Sequence, residues 1–247
     1  MNEIEILDTM LKENRLDLNK VYCIDCLEFM KRIPNKYFDL IITDPPYGIE
    51  VCDNGFVGIK GVASPKEYNI CEWDKTIPAD EYFKEMLRIS KNQIIFGGNY
   101  MTKCLPASSG WIVWDKKNDA SFFADCELAW TSFPRAIRIF RYRWFGMLQE
   151  HRNWKEERYH PTQKPVELGR WILDKFANKG DIIFDPFAGS GSFLVACKQL
   201  DFNYVGCEIN TKYVDIINKR LSQKNLMDTG GGTKENASNN TFEMPKV

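Results

Sequence analysis

The sequence predicts an α/β fold in which a mostly parallel sheet is covered by helices on both faces. Three observations predict it. Short apolar runs such as FDLIIT (38–43) and DIIF (181–184) are what strands buried on both faces require. These runs alternate along the chain with helical patterns, as βαβ units do. Two of them also run into unusual turns, Asp44-Pro45-Pro46-Tyr47 and Asp185-Pro-Phe-Ala-Gly-Ser-Gly-Ser192, at strand ends where open α/β sheets bind ligands.

The elements follow in order. Residues 3–13 place Ile4, Ile6, Leu7, Met10 and Leu11 at amphipathic helical spacing; 21–24 reads as a strand and 27–33 as a short helix stopped by Pro34. After the strand at 38–43, residues 49–70 have little periodicity and several glycines, and are expected to be a mobile loop. A helix is expected over 79–90, buried strands over 93–96 and 111–114, and an arginine-edged strand over 136–142. Pro165 introduces a helix over 166–177, then come the strand 181–184, a helix to about 200, a strand at 204–207 and a last helix over 213–224. Residues 1–227 read as one domain, and the Gly/Asn/Thr-rich 228–247 as a disordered tail.

With 247 residues, 44% of them hydrophobic, the chain is long enough for one sizeable core and is no disulfide scaffold or fibre. No apolar run approaches the ~20 residues of a membrane span. The N-terminus has acids from residue 3 and no apolar signal region, which points to a cytoplasmic chain whose eight cysteines are reduced thiols. Cys23-x-x-Cys26 has no second pair, and His151 and His160 are isolated, so no metal site is expected. Net charge is only −1, but residues 135–160 hold seven cations against three acids, interleaved with Trp144, Phe145, Trp154 and Tyr159. Cations neutralise phosphates and aromatic faces stack on bases, so this segment suits nucleic acid; a solvated rim of arginines over apolar surface is the plain alternative.

The two turns carry the chemistry. At the end of 38–43, Asp44 offers an acceptor carboxylate, Pro45 and Pro46 stiffen a turn whose carbonyls stand free of local donors, and Tyr47 offers a flat face. Together they make a holder for a planar group bearing an amine. The 185–192 turn has small residues that let backbone approach a ligand, followed by the free amides of a helix start. Alone it suits a phosphate as well as a dinucleotide. Glu208, 17 residues past Gly191 and at the next strand end, is placed to bind a ribose diol, so the pair indicates an adenosine-containing cofactor.

DPPY, DPFAGSGS, and His160-Pro-Thr-Gln-Lys-Pro165 just upstream of the latter together resemble the DNA amino-methyltransferases, which use S-adenosylmethionine to modify adenine N6 or cytosine N4. The order, catalytic motif first and cofactor loop last, is similar to their β group, and the resemblance spans roughly residues 20–222. It implies a Rossmann-like, seven-stranded, circularly permuted domain. It further implies that Asp44 and the Pro45 carbonyl accept hydrogen bonds from the target amine while Tyr47 stacks on a base flipped out of the duplex, Pro46 completing the motif. Asp185, Phe187, Ala188, Gly189, Ser190 and Gly191 would wrap the cofactor, Glu208 would take its ribose, and Asp25 would lie near its adenine. His160, Thr162 and Lys164 would close over its methionine end. Gly97-Gly98-Asn99-Tyr100, at a strand end, is a candidate to line the crevice, a simple turn being the alternative; Trp114-Asp115-Lys116 resembles a family element that flanks the base pocket, an ordinary strand terminus being its alternative.

The expected function is therefore site-specific methylation of adenine N6 in DNA, because DPPY in this family favours adenine over cytosine N4. A non-catalytic cofactor-binding subunit would have no need of Asp44 and Tyr47, and a nicotinamide oxidoreductase would not put Pro186 and Phe187 where its glycine fingerprint begins. One departure from the family is a short recognition region, about 143–159, in which Arg143, Arg152 and Lys155 are the expected phosphate contacts. Such a region reads bases laxly, or shares the task with the 49–70 loop or a second subunit. A homodimer and a cognate restriction nuclease are the protein partners this leaves open.

Overall fold

The computed structural model describes residues 3–13, 15–49, 76–118, 124–145, 148–151, 155–159 and 162–223. The expected mobile loop (beyond Ile49), the expected tail, His160 and Arg152 lie outside the described residues. The elements are α1 (Glu3–Lys12), β1 (Lys20–Cys23), α2 (Cys26–Met30), β2 (Phe38–Thr43), α3 (Asp80–Ile89), β3 (Ser90–Phe96), β4 (Trp111–Asp115), β5 (Cys126–Thr131) and β6 (Arg138–Arg141). A short ribbon, β7 (Trp144–Phe145) and β8 (Leu148–Gln149), precedes α4 (Val166–Phe176), β9 (Ile182–Asp185), α5 (Ser192–Gln199), β10 (Asn203–Glu208) and α6 (Thr211–Ser222).

The main sheet has eight strands in the order β1-β10-β9-β2-β3-β5-β4-β6, where seven were expected. Only β5 runs against the others, pairing antiparallel with both β3 and β4. The sequence pattern of 124–142 hinted at core strands without resolving this reversal, because Glu127 breaks the apolar run of CELAWT. The eighth strand is β6, which adds to the β4 edge in parallel and exposes Arg138 and Arg141. β3 begins three residues earlier than its apolar run suggests. Its polar start is satisfied internally: Ser90 Oγ donates to the Met86 carbonyl at 2.6 Å, and Gln93 Nε2 donates to Ser90 Oγ at 2.9 Å.

Side chains alternate across the strands, so each face of the sheet builds its own core. Leu40, Ile42, Ile94, Phe96 and Ile183 pack with Leu168, Ile172, Phe193, Leu194 and Ile217 of α4, α5 and α6. Ile41, Ile95, Phe184 and Val205 pack with Leu7, Phe29, Phe83 and Met86 of α1, α2 and α3. Among the described residues no helix is long and apolar enough to cross a membrane. The described cysteines are free thiols, and burial pushes those of Cys26, Cys197 and Cys207 up.

The second core centres on Phe184, fully buried and stacked on Phe38 at 4.5 Å and on Phe29 at 5.4 Å between ring centroids. Phe184→Ala removes both stacks and leaves a cavity beneath the strand that carries Asp185. It should cost about 3–5 kcal/mol, read as a lower urea midpoint at unchanged slope; a loss under about 1 kcal/mol would mean that this core collapses around the gap.

Candidate active site

β2 and β9 lie side by side at the centre of the sheet, with Ile41 opposite Phe184. From this seam the chain winds outward in both directions, through β10 and β1 on one side and through β3 on the other. That is the topological switch point at which an open sheet leaves a crevice above its strand ends. The two turns singled out in the sequence therefore face one crevice, and Thr43 Oγ1 ties them by donating to Asp185 Oδ1 at 2.8 Å.

On the β9 side, Asp185 is buried and its Oδ1 also accepts from the Phe187 amide at 3.2 Å. Burial, more than the nearby Asp44 and Glu208 charges, pushes its carboxyl up to about 7. Gly189 and Gly191 both take positive φ, +54° and +77°. A Cβ at Gly189 would meet nothing within 4 Å, so the loop is open there, whereas one at Gly191 would strike Ile217 at 2.9 Å. Glu208 ends β10 and braces the loop: its Oε2 accepts from the Gly189 amide at 2.9 Å and its Oε1 from the Asn210 amide at 2.8 Å. With the Ile209 amide as a third donor, the carboxylate keeps one of its four lone pairs for a hydroxyl donor. Asp25 lies two residues beyond the end of β1 as the N-cap of α2, its Oδ1 accepting from the Leu27 amide at 2.8 Å and its Oδ2 from Tyr82 Oη at 3.1 Å.

Tyr82 is a residue the sequence reading missed. Its ring lies 6.0 Å from that of Phe187, and its hydroxyl is on Asp25, so two aromatic rings and an acid stand together. Ser190 departs from expectation in another way. It is buried, its carbonyl accepts from Arg220 Nη1 at 2.5 Å, and its hydroxyl lies 3.3 Å from the same nitrogen. Its side chain thus serves the join to α6. Arg220, also missed, then reaches Glu156 Oε1 at 2.8 Å, and Gln163 Nε2 donates to the same oxygen at 2.9 Å.

On the β2 side, Asp44 Oδ1 accepts from the Tyr47 hydroxyl in a short hydrogen bond. Its Oδ2 accepts from Lys164 Nζ at 2.6 Å. Lys164, expected with Thr162 over the cofactor's methionine end, is thus brought 120 positions along the chain onto the Asp44 carboxylate, while Thr162 is half-buried two residues before it. Burial pushes the Asp44 carboxyl up against the opposing pull of Lys164. Gly97, at φ +68°, lets the Tyr47 ring come so close that a Cβ there would sit 2.1 Å from it. Tyr100, 45% exposed, stacks on Tyr47 at 5.2 Å and 18°, so Gly97–Tyr100 does line the crevice. Pro45 is buried and Pro46 half-buried between them.

The N6/N4 DNA methylase family model matches residues 138–219. The type II methyltransferase M.HinfI of Haemophilus influenzae is 30% identical, over 87% of this chain and 71% of its own length. This chain belongs to the DNA amino-methyltransferases. M.HpaI of Haemophilus parainfluenzae is 26% identical over 83% of the methyltransferase and 74% of its own length. In fold, the methyltransferase is similar to M1.HpyAVI, solved as a complex with S-adenosylmethionine, with a TM-score of 0.54, 22% identity, and 83% and 99% of the two chains covered. It is equally similar to the cytosine-N4-specific PvuII methyltransferase, with a TM-score of 0.55, 13% identity, and 84% and 87% covered.

The basic segment of the methyltransferase is not one surface. Arg135 lies at the opposite end of the sheet, beside Asp39 and Asp181 at the starts of β2 and β9, and donates to the Lys175 carbonyl at 3.0 Å. Arg143 and Lys155 are exposed; the Arg143 amide donates to Glu150 Oε2 at 2.9 Å and its carbonyl accepts from the Glu150 amide at 2.9 Å. Between them the segment is anchored: Trp144 Nε1 donates to the Gln163 carbonyl at 2.8 Å and Gln149 Nε2 to the Glu156 carbonyl at 2.8 Å. Among the described residues no group of three His, Cys, Asp or Glu side chains is placed to hold a metal.

Asp185 gives this site a pH signature. Its folded value of about 7 stands above its ordinary 3.8, so the folded chain binds a proton that the unfolded chain has released. The stability it contributes is full below the unfolded value and is lost as pH rises through the folded one. Asp185→Asn keeps the shape without the charge. Its stability relative to the parent should therefore rise by about 1–3 kcal/mol between about pH 5 and about pH 8, measured by denaturant unfolding; a constant difference would contradict the assignment.

Proposed function

We propose that this chain methylates adenine N6 at specific sites in DNA, taking the methyl group from S-adenosylmethionine. The observation that carries the reading is the single crevice at the β2–β9 seam, with an amine holder on one lip and a cofactor loop on the other, tied by Thr43 and Asp185. The residues of the β9 side suit the cofactor: Asp25 and Glu208 offer acceptors to an amine and a diol, Tyr82 and Phe187 offer aromatic surface to its adenine, and Gly189 leaves the loop open. Bound there, the cofactor supplies an electrophilic sulfonium methyl group.

The chain's own residues prepare the other reactant. An exocyclic amine is a poor nucleophile because its lone pair is shared with the ring. Asp44 and the Pro45 carbonyl, held rigid by the diproline turn, accept its hydrogen bonds and turn that lone pair toward the methyl group. Positioning of this kind is worth up to ~7–11 kcal/mol of a barrier. The base reaches the crevice by leaving the duplex, at a cost of a few kcal/mol that stacking on Tyr47 offsets by ~1–3 kcal/mol. Tyr100 covers the ring of Tyr47, so the base enters by displacing or sliding under an exposed side chain. Arg143, Arg152 and Lys155 contact the phosphates, and a chain with so short a recognition segment draws on the 49–70 loop or a second copy to read its site.

Digesting DNA methylated by the chain to nucleosides decides the target. N6-methyladenine supports the proposal, N4-methylcytosine replaces it with the second amine of the family, and an unmodified digest denies catalysis altogether. Asp44→Ala should abolish transfer and leave cofactor affinity within about twofold; turnover above about a tenth of the parent's, under ~1.4 kcal/mol of barrier, would remove Asp44 from the chemistry. Glu208→Ala should do the reverse, weakening cofactor binding by ~1.5–3 kcal/mol in calorimetry with DNA affinity intact. Unchanged cofactor affinity would put the ribose elsewhere.

A further inference from the structure

One acid in the crevice has no part in the chemistry above. Glu127 stands on β5 with its carboxylate between two ammonium groups, Lys116 Nζ 2.5 Å from Oε1 and Lys164 Nζ 2.9 Å from Oε2. Lys164, 5% exposed, is also the donor to Asp44. Lys116, Glu127, Lys164 and Asp44 thus form one line of alternating charge, two cations and two anions, that runs from the edge of the crevice to the amine holder. Among the described residues, the titratable side chains around Asp44 are Tyr47 from its own turn with Tyr100 stacked beyond, Lys164 from the segment before α4, Glu127 from β5 with Lys116 behind it, and Asp185 from β9.

The reaction makes this balance matter. The amine nitrogen's lone pair forms the new N–C bond, the S–C bond breaks with its electron pair left on sulfur, and the nitrogen carries positive charge until its proton passes to Asp44 or to water. A buried ammonium left unpaired beside that nitrogen would oppose the charge as it develops, and low local polarity would enlarge the effect. We propose that Glu127 is a positioning residue for methyl transfer: it offsets the second ammonium, so that Asp44, Lys164, Glu127 and Lys116 together present the target amine with no net positive charge. This deepens the proposed function and rests on it.

Charge, and not shape, is what the role requires, and that can be separated experimentally. Burial raises the Asp44 carboxyl most, Lys164 pulls it down, and the Glu127 charge adds to the rise. In Glu127→Gln the Asp44 midpoint should therefore fall by at least about half a pH unit, read by carbon-13 carboxyl titration of the free protein and assigned by the signal missing in Asp44→Asn. Its kcat should fall at least about tenfold, with affinities for S-adenosylmethionine and for duplex DNA within about threefold. Glu127→Gln combined with Lys116→Met restores neutrality and should recover most of that rate.

A midpoint that stays or rises in Glu127→Gln, or a double variant no faster than the single one, overturns the proposal. Should Glu127→Gln fail to fold, the double variant, which leaves no charge unpaired, is compared with Lys116→Met alone. A lower Asp44 midpoint and a rate near the parent's in the double variant then support the proposal, and a midpoint equal to or above that of Lys116→Met overturns it. A parent chain that transfers no methyl group to DNA, with the Asp44 midpoint still dropping in Glu127→Gln, overturns the proposed function and the role in it while the electrostatic link itself stands.

Discussion

The hydrogen bond from Thr43 to Asp185 spans the seam on which the whole site depends. β2 and β9 are far apart in the chain and adjacent in the sheet, and register pairs them at Leu40–Ile183 and Ile41–Phe184. Beyond those pairs the chains leave in opposite directions, one into Asp44-Pro45-Pro46-Tyr47 and the other into the glycine loop. Parallel pairing forces both turns to the same end of the sheet. The buried threonine–aspartate bond then fixes the distance between them, at the cost of keeping a carboxyl out of water and raising its proton affinity.

Around that seam the structure holds charge in closed sets. Asp44, Lys164, Glu127 and Lys116 form one, and Arg220, Glu156 and the 190 carbonyl form another. Removing one partner from such a set leaves a buried charge unpaired, which is far costlier than losing an exposed ion pair. The second set has a consequence for architecture. Arg220 joins the Ser190 carbonyl of the glycine loop to Glu156, which Gln163 also holds, so part of the basic segment is structural and its exposed Lys155 stands next to that join.

Much of this was legible in the sequence because local chemistry dictated it. FDLIIT and DIIF are strands to within a residue, and the turns after them sit at strand ends as their prolines and glycines require. What escaped was non-local. Glu127 looks like an interruption of an apolar strand until Lys164 arrives from behind α4 to pair with it. Arg220 sits one turn beyond Ile217 on the buried side of α6, where a cation in an apolar stripe was the only available signal. Tyr82 lies beside Phe83 in α3 and nothing local marks it as facing Asp25. Lys164 was recognised from its motif, but the motif could not show that its partner was Asp44.

The central claim is that one lip of the crevice holds cofactor and the other holds the target base. Amide hydrogen exchange with S-adenosylhomocysteine alone tests it most directly. Exchange should slow at residues 187–191, 208–210 and 26–28, with Tyr47 and Gly48 unchanged until DNA containing the target site is added. Slowing at Tyr47 and Gly48 with the cofactor product alone, or none at 187–191, would contradict it.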